Sequence, residues 1–159
     1  MGRIRSRLDR QDGAAAVEFA LIVGVLALLV FGMLQFGVAF FQLQNLRAAA
    51  REGARVGAVG ATADQVKTRT VDASIGGLSG PGAVIVEYAS DGSSFGAVSG
   101  ATRACPLKSQ QTANSMVRVR IAPGDDPFLT EVFTLEIPLM PPIDLSSAQI
   151  SGQFRCEGS

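Results

Sequence analysis

The chain begins with a long apolar segment that is interrupted by one carboxylate. From Ala14 to Phe41 only two side chains are strongly polar, Glu18 and Gln35. As a helix this segment would reach roughly 40 Å, which exceeds the ~30 Å hydrocarbon core of a bilayer. The segment is therefore long enough to span a membrane. A carboxylate inside such a span is costly, so Glu18 is a candidate functional group.

A short basic leader precedes the apolar segment. Residues 1–13 contain four arginines and two aspartates, and they end at a glycine. Gly13 is followed by the small residue Ala14, with Glu18 a few positions later. This register predicts a leader, a processing point between Gly13 and Ala14, and a membrane helix that carries one charge.

The orientation of the span follows only weakly from charge. Positive residues tend to remain on the cytoplasmic side, and the leader arginines favour a cytoplasmic N-terminus. Arg47, Arg51 and Arg55 lie just beyond the other end, however, with Glu52 as the neighbouring acid. The cysteine pair and the polar remainder of the chain favour export of the C-terminal half.

A secretory signal peptide is the main alternative for this segment. Its apolar region would be ~7 to 15 residues long and followed by a small-residue cleavage site, which Ala48-Ala49-Ala50 resembles. The apolar run is longer than that, and the sequence after it keeps a helical pattern. We therefore favour a retained membrane helix.

Small residues recur along the predicted span. Ala16, Ala20 and Gly24 follow one another every four positions, Leu28 interrupts the row, and Gly32 resumes it. Such spacing lets helix backbones approach closely in lipid, although glycine and alanine are also common in membrane helices generally. The same spacing repeats beyond the span at three positions: Ala49, Gly53 and Gly57.

A second helix is predicted after the long one, which we expect to end near Val59. Thr62 followed by Gln65 forms a capping-box pattern. The following helix would bury one face, formed by Val66, Thr70, Val71 and Ile75. The glycine-rich stretch 76–82 ends it.

The last half of the chain has the alternation of β-strands. Residues 83–88 form a β-rich run, and Asp91-Gly92 is typical of a hairpin turn. Further strands are predicted around residues 117–121, 133–137 and 150–156. Their inward-facing residues are expected to be Val117, Val119, Ile121, Phe133, Leu135, Ile137, Ile150, Gly152, Phe154 and Cys156. We expect an antiparallel sheet of three to five strands.

The chain has two cysteines, Cys105 and Cys156. They lack the spacing of a zinc site. If the second half is exported, a disulfide between them is the natural interpretation. The alternative is a pair of buried thiols that act as small apolar side chains.

Composition excludes several functional classes. The chain has no histidine, and its formal net charge of zero is unlike that of a nucleic-acid-binding protein. The acidic turns Asp91-Gly92 and Asp125-Asp126 lack the oxygen-rich loop that calcium needs, so turn formation explains them better. We predict no metal, no cofactor, no nucleic-acid partner and no enzymatic activity.

The sequence of these segments resembles that of the TadE-like family. Members of this family are pseudopilin components of the tight-adherence (Flp) pilus assembly system. The resemblance rests on residues 13–21, on Phe36-Gly37 with Phe40-Phe41, and on residues 45–55. The closing stretch 150–157 is similar to the last strand of the family. Between these segments the similarity is one of pattern.

The resemblance implies cleavage by a prepilin peptidase after Gly13, which would place Glu18 at the fifth position of the mature chain. It implies a protein of the cytoplasmic (inner) membrane, with other pilin-like subunits, assembly-platform proteins and the lipid bilayer as partners. Helix assembly would involve Ala16, Glu18, Phe19, Ala20, Gly24 and Gly32.

We therefore expect an α+β protein in three parts: a leader of residues 1–13, a transmembrane pilin-like helix of residues 14–60, and an extracytoplasmic head of residues 61–159. The head would contain a short helix and an antiparallel sheet. The function expected is non-enzymatic assembly of a tight-adherence pilus or a related secretion system. The alternative is a membrane-anchored binding module or hydrolase unrelated to pili.

Overall fold

The computed structural model describes residues 5–122, 125–127, 129–130, 134–135, 142–144 and 149–157. Within them the prediction of an α+β fold with a long apolar helix is confirmed. The elements, in chain order, are α1 (Arg5–Ala58), α2 (Ala63–Ala73), β1 (Val84–Ala89), β2 (Gly96–Val98), β3 (Met116–Ile121), β4 (Thr134–Leu135), β5 (Ile143–Asp144) and β6 (Ile150–Arg155).

The two parts of α1 have different surroundings. Large apolar side chains along its first part are exposed, for example Leu21 at 70% and Met33 at 73%. From Leu46 onward one side of the helix is fully buried against the rest of the molecule. One continuous helix therefore supplies both an uncovered apolar rod and part of the core of the head.

The turn between α1 and α2 follows the predicted capping chemistry. After α1 ends at Ala58, Gly60 adopts a positive φ of 94°, which reverses the chain. The Thr62 hydroxyl accepts a hydrogen bond from the Gln65 backbone N–H, and the Gln65 side chain accepts one from the Thr62 N–H at 3.0 Å. The predicted capping box is therefore confirmed.

The buried face of α2 is shorter than the sequence predicts. Val66 and Thr70 are fully buried, and Val71 is half-buried, as expected. The prediction for Ile75 is wrong, because its side chain is 79% exposed. The cause is the position of the cap: Ser74 closes the helix by donating its N–H to the Val71 carbonyl, so Ile75 lies beyond the helical register.

A four-stranded antiparallel sheet packs against the two helices. Its strand order is β2-β1-β3-β6. In the register of the sheet, Val86 lies opposite Val119, and Val119 lies opposite Gly152. The alternation predicted for residues 117–121 is confirmed, since Val117, Val119 and Ile121 are all buried.

The opposite face of the sheet carries a charged cluster. Glu87 is 8% exposed and accepts a hydrogen bond from Arg118 Nε at 2.6 Å. Arg120 lies 3.6 Å from the same carboxylate, and the Arg118 guanidinium stacks 3.9 Å from the centre of the Phe95 ring. This cluster satisfies a nearly buried carboxylate, which would otherwise be costly.

The inward alternation predicted for the last strand is confirmed by its register. Ile150 and Gly152 are buried, and Phe154 lies opposite the buried Val117, on the same face of the sheet. Phe154 is nevertheless 37% exposed. The reason is that β6 is an edge strand of the described sheet, with a neighbouring strand on one side only.

The strand predicted for residues 133–137 is described only in part. Leu135 belongs to β4, which pairs with β5 in a separate two-stranded sheet. Phe133 and Ile137 lie outside the described residues.

The core of the head depends on a close approach between α1 and the sheet. A Cβ atom at Gly152 would lie 2.5 Å from the Arg51 backbone nitrogen and 2.6 Å from the Ala50 carbonyl carbon. One at Gly57 would lie 3.2 to 3.3 Å from Ala104, Val117 and Val66. Glycine therefore permits the helix to rest directly on the strand.

We predict that Gly152→Ala destabilises the head by roughly 1 to 3 kcal/mol, because the new methyl group meets backbone atoms that cannot rotate away. Gly96→Ala, in β2 of the same sheet, is the matched control, since the nearest atom to its Cβ position is 4.0 Å away. Urea denaturation of the full chain in mild detergent can be followed by the emission of Tyr88, the single tyrosine. Equal midpoints for the two variants would contradict the packing described.

Candidate functional site

The predicted processing and assembly residues all lie on the first part of α1. Gly13, Ala14, Glu18 and Phe19 are exposed, and the helix continues through them without a break. A Cβ atom at Gly13 would meet nothing within 4 Å. The peptide bond after Gly13 therefore lies on an accessible helical surface.

The row of small residues and Glu18 lie on different sides of α1. Each residue turns an α-helix by about 100°, so Glu18 lies about 160° to 200° around the axis from Ala16 and Ala20. All three side chains are exposed. A single neighbouring helix would therefore contact either the alanines or Glu18, and the two features would serve different neighbours.

The later glycines of the row drift around the helix in the same way. A spacing of four residues advances by about 40° per step, so Gly24 lies about 80° from Ala16. Gly32 lies about 160° from Ala16 and about 40° from Glu18. Gly24 is exposed and Gly32 is half-buried. The four small residues consequently do not form one straight contact surface.

The repeat of small residues beyond the span has a definite partner within the chain. Ala49, Gly53 and Gly57 are buried. A Cβ atom at Gly53 would collide with the Thr70 side chain of α2. These residues pack α1 against its own head, so they are not part of a surface for other membrane helices.

Three arginines at helical spacing form an exposed stripe on α1 beside the head, which we call the arginine stripe. Arg47, Arg51 and Arg55 are all exposed. Arg55 makes two hydrogen bonds of 2.9 Å to Glu52, whose carboxylate also receives Arg69 from α2 at 3.3 Å. Glu52 thus links α1 to α2 while the arginines keep this surface polar.

The acidic turns act as turn caps. Asp91 accepts hydrogen bonds from the backbone N–H groups of Ser94 and Ser93, and these hold the pKa of its carboxyl well below the usual range. Asp126 is buried, and its Oδ1 caps the following turn by accepting a hydrogen bond from the Leu129 N–H at 3.3 Å. Its Oδ2 accepts from the N–H and the hydroxyl of Ser79, at 2.9 and 2.7 Å. In the described part of the chain no group of acidic, cysteine or histidine residues is arranged to hold a metal ion.

Cys105 and Cys156 form a disulfide in the structure, with their Cα atoms 5.8 Å apart. The bond joins the irregular segment before β3 to the residue after β6. That region is further tied by hydrogen bonds from the Ala104 N–H to the Ala61 carbonyl and from the Glu157 N–H to the Ala58 carbonyl. The disulfide thus joins the two segments to each other, and the hydrogen bonds hold them at the end of α1.

Within the described residues, one helix is long and apolar enough to cross a membrane, and a small α+β head follows at its C-terminal end. This arrangement defines a class of protein with a membrane-anchor-like helix and a compact head. Residues 13–55 match the model of the TadE-like protein family, which confirms the resemblance over that range. The match indicates a protein related to the tight-adherence pilus. No curated protein and no solved structure matches the chain.

The sequence did not reveal the residues that attach the head to the rod. Gly152, Thr70 and Asn45 contact partners far away along the chain, and no local pattern indicates such contacts. For Gly53 and Gly57 the sequence did indicate packing outside the membrane, because the charged residues beside them are not expected in hydrocarbon.

We predict that loss of the Cys105–Cys156 bond destabilises the head by about 4 kcal/mol in the chain-entropy model, because it closes a long loop. The sequence separation is 51 residues. The double variant Cys105→Ala with Cys156→Ala should show this loss in urea, and wild-type protein with reductant should match it. Two alkylatable thiols in oxidised wild-type protein would contradict the bond.

Proposed function

We propose that this protein is a non-enzymatic pseudopilin of a tight-adherence (Flp) type pilus or a related secretion system. In this proposal α1 crosses the cytoplasmic (inner) membrane, with the leader in the cytoplasm and the head outside. A prepilin peptidase removes residues 1–13. The mature helix then assembles with other pilin-like subunits and with proteins of the assembly platform.

The observation that carries the proposal is the uncovered apolar rod with one carboxylate near its start. Such a length of exposed apolar surface is not stable in water and needs lipid or other helices as its surroundings. The family match begins at Gly13 and covers this whole rod. Glu18 is the feature of the rod that a simple membrane anchor does not need.

Cleavage after Gly13 would give Glu18 a charged neighbour. The new α-amino group at Ala14 would lie one helical turn away, at about 6 Å along the axis. A positive group at this distance attracts the Glu18 carboxylate and offsets part of the cost of a charge next to hydrocarbon. Between two staggered helices the same pair would fix their relative register.

The position of Gly13 also suits proteolysis. A peptidase must open the helix locally to reach the peptide bond, and glycine lowers helix stability by about 1 kcal/mol relative to alanine. The bond after Gly13 is thus at a weak point of α1.

A signal peptide is the less favoured alternative for structural reasons. Ala49 and Ala50, which belong to the stretch that resembles a signal-peptide cleavage site, lie within α1 and are completely buried. Cleavage there would also remove Leu46 from the core. A membrane-anchored hydrolase or binding module remains the second alternative, but the acidic turns that would serve it are occupied as caps.

We predict that mature protein from the native host begins at Ala14. The N-terminal sequence or intact mass of the membrane fraction checks this. An N-terminus that still carries residues 1–12 would contradict the pseudopilin proposal, and one near Arg51 would support a secreted protein. Gly13→Leu should block processing while the head remains folded, since a side chain at Gly13 meets nothing within 4 Å.

We predict that Glu18→Ala reduces recovery of partner subunits by about tenfold, which corresponds to ~1.4 kcal/mol and is near the lower end of interfacial charge-pair couplings. Membrane insertion and the folded head should be unchanged. Co-purification of pilin-like partners and pilus formation are the measurements.

Two conservative variants separate charge from shape at this position. Glu18→Gln should lose assembly as Glu18→Ala does, whereas Glu18→Asp should retain most of it. Normal assembly in all three variants would mean that Glu18 is a tolerated charge at the membrane boundary.

A further inference from the structure

The turn that follows α2 carries the most exposed large apolar side chain in the described part of the chain. Ile75 is 79% exposed, more than any of the apolar side chains along the first part of α1. Elsewhere in the described head, Val59 and Leu107 reach 52% and 51%. Because its side chain is so exposed, Ile75 does not contribute to the core.

The structure fixes where this turn lies along α1. The Asn45 side-chain amide donates a hydrogen bond to the Ile75 carbonyl at 3.3 Å. At Gly77 an added Cβ atom would lie 2.9 Å from Asn45 Nδ2 and 3.3 Å from a Leu46 methyl carbon. The turn is therefore packed against α1 at the level of residues 45 and 46.

The direction of α2 explains this position. Gly57 faces Val66, Gly53 faces Thr70, and Asn45 faces the turn after α2. The second helix thus runs antiparallel to α1, back towards the apolar rod. Its C-terminal end is the part of the helix pair closest to the exposed Phe40 and Phe41.

The spacing along α1 matches the layers of a bilayer. The apolar stretch of α1 from Phe19 to Phe41 covers about 34 Å, which fits the ~30 Å hydrocarbon core with a modest tilt. Asn45 then lies about 6 Å beyond Phe41. That is within the headgroup layer, which is roughly 5 to 7 Å thick on each side.

We propose that the turn at Ile75 inserts into the headgroup layer of the leaflet on the head's side and holds the head against the bilayer. This inference rests on the proposal that α1 spans a membrane. The partner is a lipid surface, continuous with the lipid around the rod.

Two charged residues limit the depth of this contact. Arg47 is exposed on α1, two residues beyond Asn45, and a long cationic side chain at this level keeps its charge among the headgroups. Asp72, one residue before the end of α2, is also exposed and has to remain in water. The insertion is consequently shallow and confined to the tip.

The test uses the full chain with one added cysteine, labelled with an environment-sensitive nitrobenzoxadiazole dye while the native disulfide stays intact. The protein is reconstituted at low density into vesicles of phosphatidylcholine and phosphatidylglycerol. Some of the lipids carry a spin-label quencher near the headgroup. The three variants are Phe40→Cys, Ile75→Cys and Val59→Cys.

Val59 is the matched control because it is an exposed apolar residue about 21 Å further along the helix direction than Asn45. It carries the same apolar dye, so any tendency of the dye to enter lipid affects both positions. Phe40 reports whether α1 itself is in the bilayer.

We expect loss of emission and a blue shift at positions 40 and 75, and neither at position 59. Quenching at 40 with position 75 behaving like 59 would overturn this inference and leave the membrane span intact. Absence of quenching at 40 would overturn both proposals. Protection of position 75 from aqueous iodide that depends on protein density, without lipid quenching, would mean that a second copy covers Ile75 and would also overturn it.

Discussion

The head depends on how closely α1 approaches the sheet. Gly152 of β6 lies directly under the Ala50–Arg51 backbone, and Gly53 and Gly57 leave room for side chains of α2 and β3. Close packing of this kind maximises dispersion contacts, and it leaves no room for movement between rod and head. The apolar rod and the head are joined by one continuous helix, α1, and not by a linker.

The close contact between α1 and the sheet has a consequence for function. Whatever fixes the rod in the bilayer also fixes the height and the direction of the head. The capping box at Thr62 turns the chain back along α1, and the disulfide joins the loop before β3 to the residue after β6. Hydrogen bonds to Ala58 and Ala61 hold both of these segments beside the end of α1. Both parts of α1 carry charged residues: Glu18 lies on the rod, and the arginine stripe lies beside the head.

The sequence predicted the features that depend on local patterns. The apolar run, the capping box and the alternation at residues 117–121 are properties of neighbouring residues, and all three are found in the structure. Ile75 was wrongly placed, since its position depends on where Ser74 ends a helix. Phe154 lies on the predicted face, but its partial exposure depends on which strand lies at the sheet edge. Similarly, the spacing of Gly53 and Gly57 indicated close packing but not its partner, because that partner is distant along the chain. For Glu18, periodicity alone shows that it does not share a face with Ala16 and Ala20.

The most direct test of a rigid junction is hydrogen–deuterium exchange of the full chain reconstituted in a bilayer, resolved across residues 36–58. A single helix that passes from lipid into the head predicts continuous slow exchange through this range, including the four residues between Phe41 and Leu46. A rapidly exchanging stretch there, flanked by protected segments, would show that rod and head are separate bodies and would contradict the account.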